Sequence, residues 1–332
     1  AQLMTSPIRI ATVTLNPAID QTISIPNFCA DAVNRVAWEQ ADAGGKGVNV
    51  AGFLSDYFSG DCFNSDCSRD TKQPFEIVAT GFLGADNASI FEQLFQQKSI
   101  GDRFVRLPGK TRVNIKIVDD AQAQVTDINF PGVTASEDDL ASLVEAIAPL
   151  TSTADWFIFS GSLPPGLSST AYQSLIKPLK AEGKQIALDT SGEALQDALL
   201  AQPNLIKPNV EELSALLGQS LTSETEIVQA ARQLIDQGIE TVVVSMGGDG
   251  ALFVTAKTVV FAAATPPDIK STVGAGDAMV AGTVAGLSQQ KSLADCARLA
   301  TAFSIEALGQ LGAHLPRSTD WQQAGDRVSI RS

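Results

Sequence analysis

Hydrophobic and polar positions follow two different periods along most of the chain. Short runs rich in β-branched residues indicate buried strands, and between them apolar residues recur every three or four positions, as in amphipathic helices. The predicted strands are residues 8–15, 76–80, 156–160, 185–189, 205–207 and 241–245. The predicted helices are residues 86–97, 136–148, 171–182 and 225–237, with two more helices in 276–308. Because alternating strands and helices form parallel βαβ units, we expect a three-layer α/β fold with a mostly parallel central sheet.

Two regions depart from this alternation. Residues 21–26 with 33–41, and 111–119 with 124–130, follow a period of two with no helix between the partners. This pattern is typical of antiparallel ribbons. We expect the four strands to form a small sheet at the edge of the main domain, where it would serve as a lid or a dimer surface.

A third stretch has no regular period. Residues 56–76 are polar and rich in Asp and Ser, so they are predicted as a surface loop or insertion. A chain of 332 residues is long enough for one large domain or two smaller ones. We expect one α/β domain over residues 1–332, with lid strands in 21–41 and 111–130 and the insertion at 56–76.

Composition narrows the possible functions. The chain has 23 Lys and Arg against 37 Asp and Glu, a net charge of -14, which disfavours binding to nucleic acid or to an anionic membrane. Residues 1–10 lack the pattern of a secretory signal, and four cysteines are typical of a reducing compartment, so we expect a cytoplasmic protein. The single histidine, His314, argues against a Ser-His-Asp triad and a multi-histidine metal centre.

The strongest candidate for chemistry is the segment Gly274-Ala275-Gly276-Asp277, which is followed by an apolar helical pattern. Glycines at a helix start let backbone N–H groups converge on an anion, so the segment predicts a phosphoryl site. Asp277 would lie in the first turn, where a carboxylate can take a proton from an attacking hydroxyl. The alternative is an aspartate that only interacts with the helix dipole.

A second candidate follows the strand at residues 205–207. Asn209 and Glu212 are three positions apart and share one face of the first turn of a helix. An amide oxygen and a carboxylate suit Mg²⁺, directly or through its waters. An ordinary capping box, with Asn209 as the cap, explains the same pair.

Three glycine-rich turns could approach a ligand closely: residues 44–51, 160–166 and 245–250. The first brings Lys46 and Asn49 to the start of a helix, and the other two end predicted strands, where parallel sheets place their ligand crevice. Ordinary tight turns remain the alternative for each. Residues 45–50 lack the third glycine of a dinucleotide fingerprint, which weakens the case for a nicotinamide-dependent oxidoreductase.

Local positive charge has particular value in so acidic a protein, because the overall field repels anionic substrates. Arg103, Lys110 and Arg112 cluster at the base of the second ribbon. Arginine can bind phosphate through two hydrogen bonds, so Arg112, which begins a lid strand, is the best candidate. Solvated surface cations remain the alternative.

Taken in order, these motifs resemble the ribokinase-like (PfkB-type) carbohydrate kinases over essentially the whole chain. The matching segments are LNPAID at 15–20, GGKGVN at 44–49, TRVN at 111–114, SGSLPPG at 160–166, KPNVEE at 207–212 and GAGD at 274–277. The resemblance implies a three-layer α/β core with a β-sheet lid that is often shared across a homodimer. It also implies transfer of the γ-phosphoryl group of ATP, with Mg²⁺, to a sugar hydroxyl.

The resemblance assigns roles to individual residues. Asp277 corresponds to the catalytic base, and the anion hole corresponds to Gly274, Ala275 and Gly276. The motif that holds magnesium and its waters corresponds to Asn209 and Glu212. The nucleotide is expected against Lys207, Gly276, Ser245, Met246, Gly247, Gly248, Asp249 and Gly250. Sugar hydroxyls are expected at Asp20, Gly45 and Asn49, the substrate phosphate at Lys46, Arg103 and Arg112, and the reacting end near Ser162.

Within the family, the segments LNPAID and TRVNIK, and TDINFPG at 126–132, most resemble the branch that acts on phosphosugars. We expect fructose 1-phosphate to be phosphorylated at its 6-hydroxyl to give fructose 1,6-bisphosphate. Tagatose 6-phosphate and fructose 6-phosphate are the alternative substrates. A non-catalytic sugar-phosphate sensor on the same fold is the alternative from another functional class.

Overall fold

The structure, a computed structural model, describes residues 6–60, 73–266 and 268–332. Its strands are β1 (Ile8–Thr14), β2 (Ala18–Ser24), β3 (Trp38–Gly44), β4 (Phe75–Gly84), β5 (Gly101–Asp102), β6 (Val105–Leu107), β7 (Val113–Asp119), β8 (Gln124–Ile128), β9 (Trp156–Ser160), β10 (Gln185–Asp189), β11 (Leu205–Ile206), β12 (Thr241–Ser245), β13 (Ala251–Thr255), β14 (Val259–Ala263) and β15 (Ser329–Arg331). Its helices are α1 (Lys46–Ser59), α2 (Ser89–Gln97), α3 (Glu137–Ile147), α4 (Ala171–Ala181), α5 (Gly192–Ala198), α6 (Val210–Leu217), α7 (Glu224–Asp236), α8 (Ala275–Ser288), α9 (Leu293–Leu308) and α10 (Trp321–Asp326).

The large sheet has the order β15-β14-β13-β12-β11-β10-β9-β1-β4-β5, and β6 also pairs with β4. Pairing is parallel from β5 to β12 and antiparallel from β12 to β15. The predicted mostly parallel sheet is therefore confirmed. The antiparallel edge formed by β13, β14 and β15 is an addition that the hydrophobic pattern did not predict.

Both faces of this sheet are covered, because successive side chains of each strand enter different cores. On β9, Trp156 and Ile158 belong to one hydrophobic cluster, whereas Phe157 and Phe159 belong to the other. Helices α1, α2, α8 and α9 supply the first cluster, and α3, α4, α6 and α7 supply the second. This two-sided burial explains why the central strands have no polar face.

The small sheet, which we define as β2, β3, β7 and β8, has the order β3-β2-β7-β8. Its two ribbons are antiparallel as predicted, and a parallel pairing of β2 with β7 joins them. That pairing sets Asp20 beside Asn114.

The first ribbon lies at different residues from those predicted. Its strands cover Ala18–Ser24 and Trp38–Gly44 rather than 21–26 and 33–41. Residues 25–37 form a loop because Asn27 and Asp31 have positive φ angles and because the Asp119 carboxylate accepts hydrogen bonds from the backbone N–H groups of Asn27 and Phe28.

The predicted insertion at 56–76 is also shorter than expected. Residues up to Ser59 belong to α1, and β4 begins at Phe75. Asp56 is buried, and its Oδ2 accepts a hydrogen bond of 2.7 Å from Lys98 Nζ. This polar residue is therefore part of the folded body, while residues 61–72, with Cys62 and Cys67, lie outside the described residues.

Candidate active site

The GAGD segment begins a helix, as predicted. Gly274 precedes α8 with φ 82°, a left-handed conformation that favours glycine. The N–H of Ala278 donates to the carbonyl of Gly274 at 2.8 Å, and Ser304 Oγ donates to the carbonyl of Ala275 at 2.8 Å. The first N–H groups of a helix have no partner within it, so this fixed helix start presents several donors and a positive dipole to an anion.

Asp277 lies in the first turn of α8 with only 7% of its surface exposed. Its Oδ2 accepts a hydrogen bond of 2.9 Å from Asn49 Nδ2, although the two residues are 228 positions apart. Burial and the charge of Asp189 raise the pKa of Asp277 to about 6, against the effects of Asn49, Lys46 and Lys207. The carboxyl is therefore mostly ionised near neutral pH and close to the best pKa for a general base.

The charges of two lysines from different elements act on Asp277, and both lysines contact the neighbouring carboxylate of Asp189. Lys46 is the first residue of α1, and its Nζ lies 3.4 Å from Asp189 Oδ2. Lys207 follows β11, and its Nζ lies 4.0 Å from Asp189 Oδ1. A Cβ atom built on Gly276 would lie 3.5 Å from Lys207 Nζ, which places this ammonium group against the start of α8.

A cavity of about 280 Å³ opens between the start of α8, the start of α1 and the small sheet. Seven of the predicted site residues line it: Asp20, Gly45, Lys46, Asn49, Arg112, Ser162 and Asp277. They come from distant parts of the sequence, so the fold assembles the site. The cavity also has walls from Asn16, Ala18, Asn114, Gly161, Thr190 and Ser191, for which sequence analysis assigned no role.

Arg112 is fixed to the backbone rather than solvated. Its guanidinium donates to the carbonyl groups of Asn16 at 2.9 Å, Pro17 at 3.3 Å and Phe130 at 3.1 Å. Burial lowers the pKa of Arg112, and the charge of Asp20 opposes that effect. Arginine remains protonated at any physiological pH, so the Arg112 guanidinium gives the cavity a permanent positive charge.

Asp20 faces Arg112 from the neighbouring strand. Burial raises the pKa of its carboxyl to about 6, and the charge of Asp42 adds to this, while Arg112, Lys116 and a hydrogen bond from Asn114 lower it. A carboxylate in this position can accept hydrogen bonds from sugar hydroxyl groups.

Arg103 is not among the residues that line this cavity. It lies on the surface between β5 and β6, where its Nη1 donates to the carbonyl of Asp102 at 3.0 Å and its N–H donates to that of Ala79. Nearness to Arg112 in the sequence therefore does not bring Arg103 into the wall of this cavity.

Asn209 and Glu212 form a capping box at the start of α6. Asn209 Oδ1 accepts from the N–H of Glu212 at 2.7 Å, and Glu212 Oε2 accepts from the N–H of Asn209 at 3.0 Å. The pair therefore forms the capping box that was the alternative to a metal site. A metal-binding role is still compatible with this capping box, since each side-chain oxygen can accept more than one contact. Within the described ranges, no cluster of three or more His, Cys, Asp or Glu side chains could hold a metal by itself.

The predicted nucleotide loop lies beside this capping box. Ser245 ends β12, pairs with Asn209 in a single β-bridge, and donates its N–H to the carbonyl of Pro208 at 3.1 Å. The loop continues as a short helical turn over Gly247–Asp249, which is exposed, while Met246 packs on the hydrophobic core. The three predicted nucleotide elements, at Lys207, the Ser245–Gly250 loop and Gly276, are thus neighbours.

Two residues without an assigned role shape the site strongly. Asn16 Nδ2 donates to Ser162 Oγ at 3.2 Å and to the carbonyl of Pro131 at 3.0 Å, so it joins the end of β1 to two loops. Asp189, at the end of β10, faces both lysines. Both residues lie at the carboxyl ends of parallel strands, where ligands bind in such sheets, and this position could have identified them from the sequence.

Comparison with known proteins identifies the relatives of this chain. The pfkB family carbohydrate kinases match residues 13–320. The chain is 47% identical to a 1-phosphofructokinase of Rhodobacter capsulatus over 310 residues, which cover 93% of each protein, and 38% identical to that of Vibrio cholerae, with 92% of each covered. Phosphofructokinase-2 of Escherichia coli, solved with substrates and products, superimposes with a TM-score of 0.85 at 29% identity, covering 96% of this chain and 99% of that one.

These findings confirm the family resemblance, the three-layer α/β fold and the class of reaction, a phosphoryl transfer to a hydroxyl group. In the described part of the chain, no helix is both long and apolar enough to cross a membrane. The protein belongs to the pfkB family of carbohydrate kinases.

Proposed function

We propose that this protein transfers the γ-phosphoryl group of ATP to the 6-hydroxyl of fructose 1-phosphate and releases ADP and fructose 1,6-bisphosphate. The observation that carries the proposal is the convergence of Asp277, in the first turn of α8, and Arg112 on one cavity of about 280 Å³. A base, an anion site and a phosphate-binding cation are what this reaction requires. The proteins named 1-phosphofructokinase, at 38% and 47% identity, support the choice of substrate.

In this mechanism, Asp277 accepts the proton of the 6-hydroxyl as its oxygen attacks the γ-phosphorus. The hydrogen bond from Asn49 fixes the carboxylate, so that one oxygen is held and the other is available to the hydroxyl. The N–H groups at Gly274, Ala275 and Gly276 stabilise the negative charge on the transferred phosphoryl group. Positioning and charge stabilisation supply most of the catalysis in phosphoryl transfer.

The sugar phosphate is held from both walls of the cavity. Arg112 and Lys46 bind the 1-phosphate, since they are the cations that line the cavity. Asp20, Gly45 and Asn49 hold sugar hydroxyl groups, and Ser162 lies near the reacting end. Arg103 receives no role, because it lies outside the cavity wall.

ATP lies along the adjacent ends of β11 and β12, against Lys207, Gly276 and the loop from Ser245 to Gly250. Asn209 and Glu212 would hold Mg²⁺ through its waters, and the ion would neutralise charge on the β- and γ-phosphates. Their oxygen donors and their place beside the loop fit a magnesium ion that arrives with the nucleotide, because Mg²⁺ in such sites keeps several waters. Since ATP and phosphosugars are charged metabolites of the cytoplasm, the proposed location is cytoplasmic.

The small sheet serves as the lid and joins two copies of the chain into a homodimer. Exposed apolar residues on the surface of a monomer are usually scattered singly, whereas this sheet and its loops expose several. The exposed large apolar side chains here are Val33, Val36, Trp38, Val125, Ile128 and Phe130. One structure of the E. coli phosphofructokinase-2 is a tetrameric inhibited form, so oligomers occur in the family. Sedimentation of the protein and of Val125→Asp tests this, and an unchanged monomer in both would contradict it.

The substrate is tested by measuring ADP release with ATP and Mg²⁺ against fructose 1-phosphate, fructose 6-phosphate and tagatose 6-phosphate. We expect kcat/KM to be highest for fructose 1-phosphate. A preference for either 6-phosphate would keep the mechanism and change the substrate. Binding of ATP and phosphosugar without any turnover would favour the sensor instead.

A further inference from the structure

Asp189 is a buried carboxylate for which the proposed mechanism has no use. It ends β10 and is only 3% exposed. Its backbone carbonyl accepts the N–H of Gly161 at 2.9 Å, which ties it to the loop after β9. A buried charge is costly unless paired, so the partners of Asp189 indicate what it does.

Each oxygen of this carboxylate faces a different lysine. Oδ2 lies 3.4 Å from Lys46 Nζ and Oδ1 lies 4.0 Å from Lys207 Nζ. Lys46 lines the cavity beside Asp277, whereas Lys207 lies against Gly276. Asp189 therefore stands between a cation on the sugar side and a cation on the nucleotide side of the start of α8.

The same two lysines also act on Asp277, since the charge of each lowers the pKa of its carboxyl. Without another anion nearby, both ammonium groups would turn to Asp277 as the remaining buried carboxylate between them. An ion-paired carboxylate is a weaker base, because the pairing stabilises its ionised form. The charge of Asp189 acts in the opposite direction and raises the pKa of Asp277.

We propose that Asp189 is a positioning residue that holds Lys46 on the sugar side and Lys207 on the nucleotide side of the start of α8, and that keeps both lysines from pairing with Asp277. This role of Asp189 rests on the proposed function. It adds to that function the group that fixes the positions of the two lysines. Asp189 makes no contact with substrate in this role.

The test compares Asp189→Asn with Asp189→Glu. The isosteric Asn variant removes the charge, so we expect kcat to fall by about 10- to 100-fold because the lysines are misplaced. We also expect the acid limb of the kcat profile to move to lower pH by roughly one unit, because Asp277 loses its anionic neighbour and gains free cations. The charged groups around Asp277 in this profile are Asp189, Lys46 and Lys207.

The Glu variant keeps the charge and changes its reach. We expect a lower kcat with the acid limb close to that of the unmodified protein. The matched control is Asp155→Asn, which breaks an exposed ion pair with Arg9 at the opposite end of β9 and should leave both kcat and the limb unchanged. If Asp189→Asn does not fold, the Glu variant alone decides: an unchanged kcat would overturn the proposal.

A double-mutant cycle gives an independent readout. Because Asp189 acts through the lysines, Asp189→Asn should cost much less kcat in a Lys207→Met background than in the unmodified protein. Additive losses together with an unmoved acid limb would overturn the proposal. So would a change confined to the Mg²⁺ concentration that the variant requires, since that result would make Asp189 a metal ligand.

Failure of the proposed function would look different. If the unmodified protein turned over none of the three phosphosugars, the reaction itself would be wrong. The effect of Asp189→Asn on the Kd of ATP, measured by calorimetry, would then still test whether Asp189 positions Lys207. A Kd equal to that of the unmodified protein would reject this part of the role.

Discussion

On the α8 side of the cavity, Asp277 accepts a hydrogen bond from Asn49 and faces two lysines that Asp189 also contacts. On the small-sheet side, Asp20 faces Arg112, whose guanidinium is held by three backbone carbonyl groups. Burial raises the pKa of both carboxyls to about 6. Each wall thus has one carboxyl group with a raised pKa, but the two walls fix their cations differently.

This difference separates reaction from recognition. Ammonium groups held by a carboxylate can exchange it for an incoming phosphoryl oxygen, because each lysine has three donors and a flexible stem. Arg112 is bound to the backbone carbonyls of Asn16 and Pro17, in the short connection between β1 and β2, so its position is set before a ligand arrives. We therefore expect changes to Asp277 and Asp189 on the α8 wall to affect kcat, and changes on the small-sheet wall to affect KM.

The largest effect is expected for Asp277→Asn. Loss of the general base should lower kcat by about 10³-fold with little change in KM, since general acid–base groups contribute factors of this size. The matched variant on the other wall is Asp20→Asn, which should raise the KM for the phosphosugar and keep most of kcat. Steady-state kinetics of both variants decide the matter, and equal losses of kcat would remove the distinction between the walls.

The next effect is expected for Arg112→Ala. A hydrogen-bonded charge contributes roughly 1.5–3 kcal/mol, so the KM for the phosphosugar should rise by about 10- to 100-fold while the KM for ATP stays nearly constant. Arg106→Ala provides a control, because Arg106 pairs with Asp102 and Glu92 on the surface. A phosphosugar KM that Arg112→Ala leaves unchanged would count against phosphate binding by this wall.

A smaller effect is expected from pH. Because the pKa of Asp277 and that of Asp20 are both raised to about 6, both carboxyls are ionised above this pH and protonated below it. Activity should therefore be full near neutrality, and log kcat/KM should fall below pH 6 with a slope approaching two. In Asp20→Asn the slope should approach one. A slope of one in the unmodified protein would mean that only one wall needs its carboxylate.

The smallest effect is expected for Arg103→Ala. This exposed arginine contacts a neighbouring carbonyl group and lies outside the cavity wall. Surface substitutions of this kind usually have little effect, so kcat and both KM values should change by less than about twofold. A rise in the phosphosugar KM comparable with that of Arg112→Ala would return Arg103 to the phosphate site.

Local sequence determined more of the fold than of the site. The strands at Trp156–Ser160, Gln185–Asp189 and Thr241–Ser245 have the predicted bounds, because their apolar runs are short and end in polar or small residues. The strands β13 and β14 were not predicted. They follow the turn at Gly250, where the chain reverses after β12. Their sequences show no alternation of apolar and polar residues, and they are buried because they pair with β12 and with each other and are covered by helices.

By itself, the sequence determined the parts of the site that short segments can encode: the glycine start of α8 with Asp277, the capping pair Asn209 and Glu212, and the order of motifs that identifies the family. The tertiary structure alone decided which distant groups meet. It joined Asn49 to Asp277, placed Asp189 between two lysines and left Arg103 out of the cavity wall. Hydrogen bonds within one turn follow from local spacing, whereas contacts between strand ends depend on sheet order, which no single segment carries.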